Sequence, residues 1–250
     1  MKMPSRPLAT TPPGMTRVDL EPLSAETALE LIKHLGATPE AVKPFLSVAA
    51  GIPQALVQIA KASLEGLLPK DAVAAGADFL RPVFEARLDS LSTELRQALS
   101  TLAVLGQEFR KTAALDLLGG ASQEARLTSL TQGGLLAPSG DGLRLAFGSP
   151  LERQVAYGRV SVNERATLHR QAAMAMDRAL DDPEEVAAQF EAAGDVQSAL
   201  EKLRQGANRY LDQKDRKRAI DCLKRTCQTA KSMPNEMARF SEDALLLSQL

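Results

Sequence analysis

Acid–base, nucleophilic and metal chemistry each need several suitable side chains close together, and this sequence offers few places to begin. His169, behind Arg165 in "RATLHRQ", has no Ser, Cys or paired carboxylate beside it with which to build a catalytic set. It reads as a hydrogen-bonding group on a helix surface or between domains. His34 falls at a helix C-terminus, where an imidazolium suits the helix dipole, and reads as a cap. Asp181, Asp182, Glu184 and Glu185 crowd around Pro183 and carry the oxygens that a metal or a general acid would need. Acids flanking a Pro at a helix start are also what capping and the dipole favour, and that structural reading is preferred. Cys222 and Cys227 lie on a helical stretch and face different directions, so they predict neither a disulfide nor a metal site. No catalytic residue, metal or cofactor is expected, and the chain is not expected to be an enzyme.

Electrostatic recognition is the other chemistry to weigh. The 250 residues carry a formal net charge of -1, which gives no overall attraction to nucleic acid or anionic membrane. A local surplus of cations does occur between Lys202 and Arg225, after a mostly acidic stretch from Asp177 to Glu201. Long charged side chains also solvate an exposed helix, and Tyr210 is the lone aromatic available for base stacking there, so a nucleic-acid groove is the weaker reading. Tyr210, Arg216, Lys217 and Arg218 are the exposed residues expected to touch a protein partner.

The elements that must position these groups are mostly helical. Aromatics make up 4% of the chain, Trp is absent and Ala and Leu dominate, which favours helices packed through small and straight-chain residues. Residues 1–16 are rich in Pro, Ser and Thr and read as a flexible tail. From 17 to 75 a small bundle is expected: an extended entry, a helix begun by Ser24, a second from Pro39 to Ala50 closed at Gly51, and a third opened by Pro53 and carrying Leu56, Ile59, Ala60 and Leu64. From 76 to 160, "LRPVFEARLDSLSTELRQALSTLAVLGQEF" predicts two amphipathic helices broken near Ser90 to Ser92. Two more follow, each closed by paired glycines, and then "LLAPSGDGLRLAF" predicts a β-hairpin turning at Ser139 to Gly142. Helices followed by one hairpin is a winged-helix order. From 161 to 250 the chain is helical, and Gly194-Asp195 with Ala199 recurs as Lys214-Asp215 with Ala219. Such spacing predicts tetratricopeptide-like α-hairpins, without a full repeat signature. The fold class is therefore mainly all-α with one small β-hairpin.

Taken in order, "RVDLEPLSAETALELI", "AAGIPQALVQIA", "LSTLAVLGQEF", "LTSLTQGGLL" and "FGSPLERQVAYGRVSVNERATLHRQAA" resemble the part of bacterial STAND signal-transduction ATPases that follows the ATPase domain, a group that includes the maltose-regulator class. The resemblance implies a lid-like helical bundle, a winged helix and a superhelical sensor or partner-binding array. In that family the nucleotide is held upstream by a Walker A loop, and no G-x-x-x-x-G-K-[ST] segment or acid-ended apolar strand occurs here. "PSRP" resembles the end of the family's last ATPase strand, so the chain is expected to begin where the catalytic domain would have finished. Ile52 replaces the Asn usual in the Gly-x-Pro motif, and Gly148 stands where the family usually has a phosphate-sensing His. Arg6 and Pro53 remain as vestigial nucleotide candidates, and no nucleotide binding is expected.

The expected function is a non-catalytic regulatory and protein-interaction module, binding a protein partner through its helical array. Self-association is the other expected use of that array, because "RFSEDALLLSQL" leaves Leu245, Leu246 and Leu247 wanting a cover. One alternative is a winged-helix transcriptional regulator, for which Arg126 on the probable recognition helix would be the DNA contact, a poor one beside Glu124. Another is an ATP-dependent regulator completed by a separate ATPase chain. Neither a secretory h-region nor a run of about eighteen apolar residues is present, and a cytoplasmic location without membrane contact is expected.

Overall fold

The structure, a computed structural model, describes residues 21–68 and 80–230. The expected tail at 1–16 and the apolar run at Leu245 to Leu247 lie outside the described residues. The chain divides into two compact units, Met1–Val83 and Phe84–Leu250.

In the first unit, helix α1 (Ala25–His34) starts where Ser24 Oγ accepts from the Thr27 amide at 3.2 Å, as the sequence predicted. The single helix expected from Pro39 to Ala50 is instead three short pieces: α2 (Pro39–Val42), a 3₁₀ turn (Lys43–Phe45) and α3 (Leu46–Ala49). Pro44 accounts for the break, because its ring would clash with a carbonyl one turn back and it has no N–H to give. Helix α4 (Pro53–Leu64) then closes the bundle, and Ile32, Val42, Phe45, Leu56 and Ile59 form the core. Leu64, expected on the apolar face, is exposed.

Gly51 is fixed by geometry as well as by turn preference. Its φ is +70°, and a Cβ there would lie 2.5 Å from the Leu23 carbonyl oxygen and 2.8 Å from Pro22 Cβ. The backbone approaches that closely because the Leu23 amide donates to the Gly51 carbonyl at 2.9 Å.

The second unit contains α5 from Phe84 onward (the helix is Leu80–Asp89) and α6 (Thr93–Leu102), capped by Ser92 at the predicted break. The apolar run that follows α6 does not continue as helix through Phe109. It ends at a loop, and Glu108–Arg110 form a strand, β1. Helices α7 (Lys111–Leu118) and α8 (Glu124–Gln132) lead to β2 (Leu136–Ser139) and β3 (Arg144–Phe147). The expected hairpin is therefore part of a three-stranded antiparallel sheet in the order β1-β3-β2, with Phe109 opposite Leu145 and Leu136 opposite Phe147. Phe109 meets Phe147 edge-on at 6.0 Å between ring centres, both rings are buried, and α8 packs on β2.

Five helices follow among the described residues of this unit: α9 (Pro150–Gly158), α10 (Val162–Arg178), α11 (Pro183–Ala192), α12 (Val196–Asp212) and α13 (Arg216–Ala230). Successive helices from α10 to α13 pack on one another, and α10 also packs on α7. Small residues let them come close. Gly206 of α12 is one such point, since a Cβ there would meet Pro183 at 3.4 Å and Cys222 Sγ at 3.5 Å.

The turns between these helices repeat a single geometry. Leu180, Gly194 and Lys214 all take positive φ, at 58°, 74° and 61°. In each case the amide of the following Asp reaches back six-to-one: Asp181 to Met176, Asp195 to Phe190 and Asp215 to Tyr210, at 3.0, 2.9 and 2.8 Å. Asp195 and Asp215 then cap the next helix by accepting from Ser198 and Arg218 amides, each at 3.2 Å. The fold is mainly helical with a small antiparallel sheet.

Candidate functional site

The acids around Pro183 are the centre of an ion-pair and hydrogen-bond cluster. Asp182 starts α11, accepting from the Glu184 amide at 3.1 Å. Its carboxylate also receives the Tyr210 hydroxyl from α12 and the Arg218 guanidinium from α13, the latter at 2.6 Å. Arg218 lies over the Tyr210 ring at 4.1 Å, a cation–π contact. Glu184 and Glu191 hold Arg225, so two cations of α13 close onto α11. Burial works against the charged form of Asp182, but hydrogen bonds from Tyr210 and Arg218 keep its carboxyl below the usual carboxylate range.

Asp181 points its charge the other way. Arg110 of β1 donates to it at 2.7 Å and Arg144 of β3 stands 3.7 Å away, so the sheet is pinned to the turn between α10 and α11. Burial pushes its carboxyl up in spite of both arginines, and burial likewise raises that of Glu185. The Cys222 thiol is pushed up to about 11 by burial beside this cluster, which leaves it protonated and unreactive at neutral pH.

These contacts correct one sequence expectation and narrow another. Tyr210 is 2% exposed, so it is a buried bridge between helices and cannot be an exposed partner contact. Its location next to lysines and arginines concealed this, because Asp182, the group it serves, is far upstream in sequence. Arg218 is exposed at its edge but engaged by Asp182, Glu184 and Tyr210. Arg216 and Lys217 are exposed, and with Arg209, Lys214 and Lys224 they make no ion pair among the described residues.

The other candidates are dispersed. Pro53 is exposed at the first turn of α4, and Arg6 lies outside the described residues. Arg126, on α8, is half-buried and pairs with Glu94 at 3.6 Å. His34 Nδ1 contacts the Glu30 carbonyl at 3.1 Å, on its own helix. His169 is buried between helices: Nε2 meets the Tyr157 hydroxyl at 2.9 Å and Nδ1 meets Gln189 Oε1 at 2.7 Å. Gln189 Nε2 donates to the Val104 carbonyl at 3.0 Å, which leaves Oε1 as acceptor. Nδ1 therefore donates, and in the neutral ring Nε2 accepts from Tyr157. Arg165 lies 4.8 Å over the same tyrosine ring, so the Arg165 and His169 pair noted in the sequence meets at Tyr157.

Two features gave no signal in the sequence. Arg87 donates to Glu152 at 3.1 Å, with Glu152 0% exposed, and also to the Gly133 carbonyl at 2.7 Å. A groove of about 580 Å³ runs between α6 and α10, lined by Arg96, Arg159, Glu164 and several hydroxyl and amide side chains. Neither is visible without the fold, since each joins residues distant in sequence, such as Arg87 and Glu152, 65 positions apart. Among the described residues no group of three or more His, Cys, Asp or Glu is arranged to hold a metal, and no helix is long and apolar enough to cross a membrane.

No family model matches the chain, and no curated protein matches it. The resemblance to the STAND proteins therefore rests on the motifs quoted above.

Proposed function

We propose that this chain is a non-catalytic regulatory module that binds a protein partner through helices α10 to α13, in the manner implied by its resemblance to the post-ATPase part of STAND proteins. The observation that carries this reading is the division of the cations on α13. Arg218 and Arg225 are consumed in holding α13 to α11, while Arg216, Lys217 and Lys224 are exposed and unpaired among the described residues. Lys217 and Lys224, seven apart on α13, lie on one side of the helix with the exposed Asp221 between them, and this surplus of cations suits an acidic surface, where charge governs association rate and selectivity. The winged-helix and tetratricopeptide-like assignments and a cytoplasmic location belong to the same proposal.

The DNA-binding alternative has less support, since its one candidate cation, Arg126, is engaged by Glu94. The test of the favoured reading is a pull-down from cell extract with the wild-type chain and the Arg216→Glu/Lys217→Glu variant as bait. A protein captured by the first and lost by the second supports it. Identical captures by both would end it.

A further inference from the structure

The groove between α6 and α10 has the composition of a binding site. Its walls hold Gln97, Ser100 and Thr101 from α6 and Asn163, Thr167 and Gln171 from α10. None of these six side chains makes a hydrogen bond within the protein among the described residues, so their donors and acceptors are available to a ligand. The volume of about 580 Å³ lies within the span of small-molecule sites.

Charge selects the ligand further. Arg159 pairs with Asp89 at 3.1 Å, and Arg96 stands 4.0 Å from the same carboxylate while donating to the Asp89 and Leu91 carbonyls. Two guanidiniums thus share one acid, which leaves that group with one positive charge in excess. Arg96 Nε is buried and has no hydrogen-bond partner. Glu164, also lining the groove, makes no ion pair among the described residues. One surplus cation and one unpaired carboxylate in a hydroxyl- and amide-lined groove suit a molecule that carries both charges. The lining has no aromatic ring, which disfavours a sugar or a nucleobase as occupant.

The geometry points to a site for a small zwitterion, a free amino acid or a peptide of a few residues. Its carboxylate would be received by Arg96 and Arg159, its ammonium by Glu164, and its amide or polar side-chain groups by the hydroxyls and amides between. This assignment is independent of the partner surface on α12 and α13.

The test is an NMR titration of the intact chain with the common L-amino acids and with triglycine. Saturable shifts confined to the amides of Ser100, Thr101, Asn163 and Thr167 are expected for at least one of these probes. Acetylating its amine or amidating its carboxylate should weaken binding about tenfold or more, as should Glu164→Gln or Arg159→Gln. Glu164 is exposed, and its side chain makes no hydrogen bond or ion pair among the described residues, so Glu164→Gln, which keeps its size, will remain folded. No localised shift with any probe at millimolar concentration would overturn the assignment, and so would equal shifts from capped and uncapped forms.

Discussion

Arg218 lies over the ring of Tyr210 at 4.1 Å, and both side chains end on the carboxylate of Asp182. Three helices are joined at this point, so its charge state should be read in the stability of the whole array. The Asp182 carboxyl is held below its ordinary value in the folded chain, so its contribution is present above the unfolded value of about 4 and is lost as pH falls through the folded one. Asp182→Asn should therefore lower stability by about 2 kcal/mol at neutral pH, and the difference from wild type should shrink on acidification. Urea melts of both proteins from neutral pH down to about pH 3 check this. The subtraction is needed because Asp181, whose carboxyl is raised, has the opposite slope.

Tyr210→Phe removes one donor from the same carboxylate and keeps the ring under Arg218. A loss of about 1 to 2 kcal/mol is expected in thermal or urea unfolding, with partner capture unchanged. If the variant instead lost its partner and kept its stability, Tyr210 would be a contact residue after all.

The helix turns give a prediction of opposite sign. Lys214 takes φ of 61° where Gly194, in the equivalent turn, has glycine. The left-handed conformation costs a side-chain-bearing residue about 1 kcal/mol or more, so Lys214→Gly should raise stability by about that amount. Gly51→Ala should do the reverse, by about 2 kcal/mol, because the new Cβ would collide with Leu23 and Pro22 backbone and ring atoms. Paired melts of the two variants against wild type decide both signs.

Local signals in the sequence carried the fold a long way. Ser24, Ser92 and Gly51 mark real boundaries, and Ser139 to Gly142 turn the hairpin because Gly140 and Gly142 accept positive φ. What failed depended on distant partners. Glu108–Arg110 became a strand because β3 is there to pair with it, while its own apolar context reads as helix. Tyr210 reads as an outside residue because the cations around it are exposed, and the acid that draws it inside belongs to another helix. The groove between α6 and α10 was invisible for the same reason, although the types of its residues are ordinary for helix surfaces.

The buried pair Arg87 and Glu152 is where a single change should cost most. Glu152 is fully buried, and its loss would take from the buried Arg87 guanidinium the carboxylate that it meets at 3.1 Å. Removing one member of such a pair costs about 3 to 5 kcal/mol, much more than an exposed pair such as Lys111 and Glu124. Glu152→Ala should therefore strongly destabilise the unit from Phe84 onward, and Lys111→Ala should change its melting by less than about 1 kcal/mol. Replacing both Arg87 and Glu152 by Met separates two explanations: recovery toward wild type would show that the single variant suffers from burying the Arg87 charge without the Glu152 carboxylate, whereas an equal or greater loss would show that the pair and its hydrogen bonds are themselves what holds α5, α8 and α9 together.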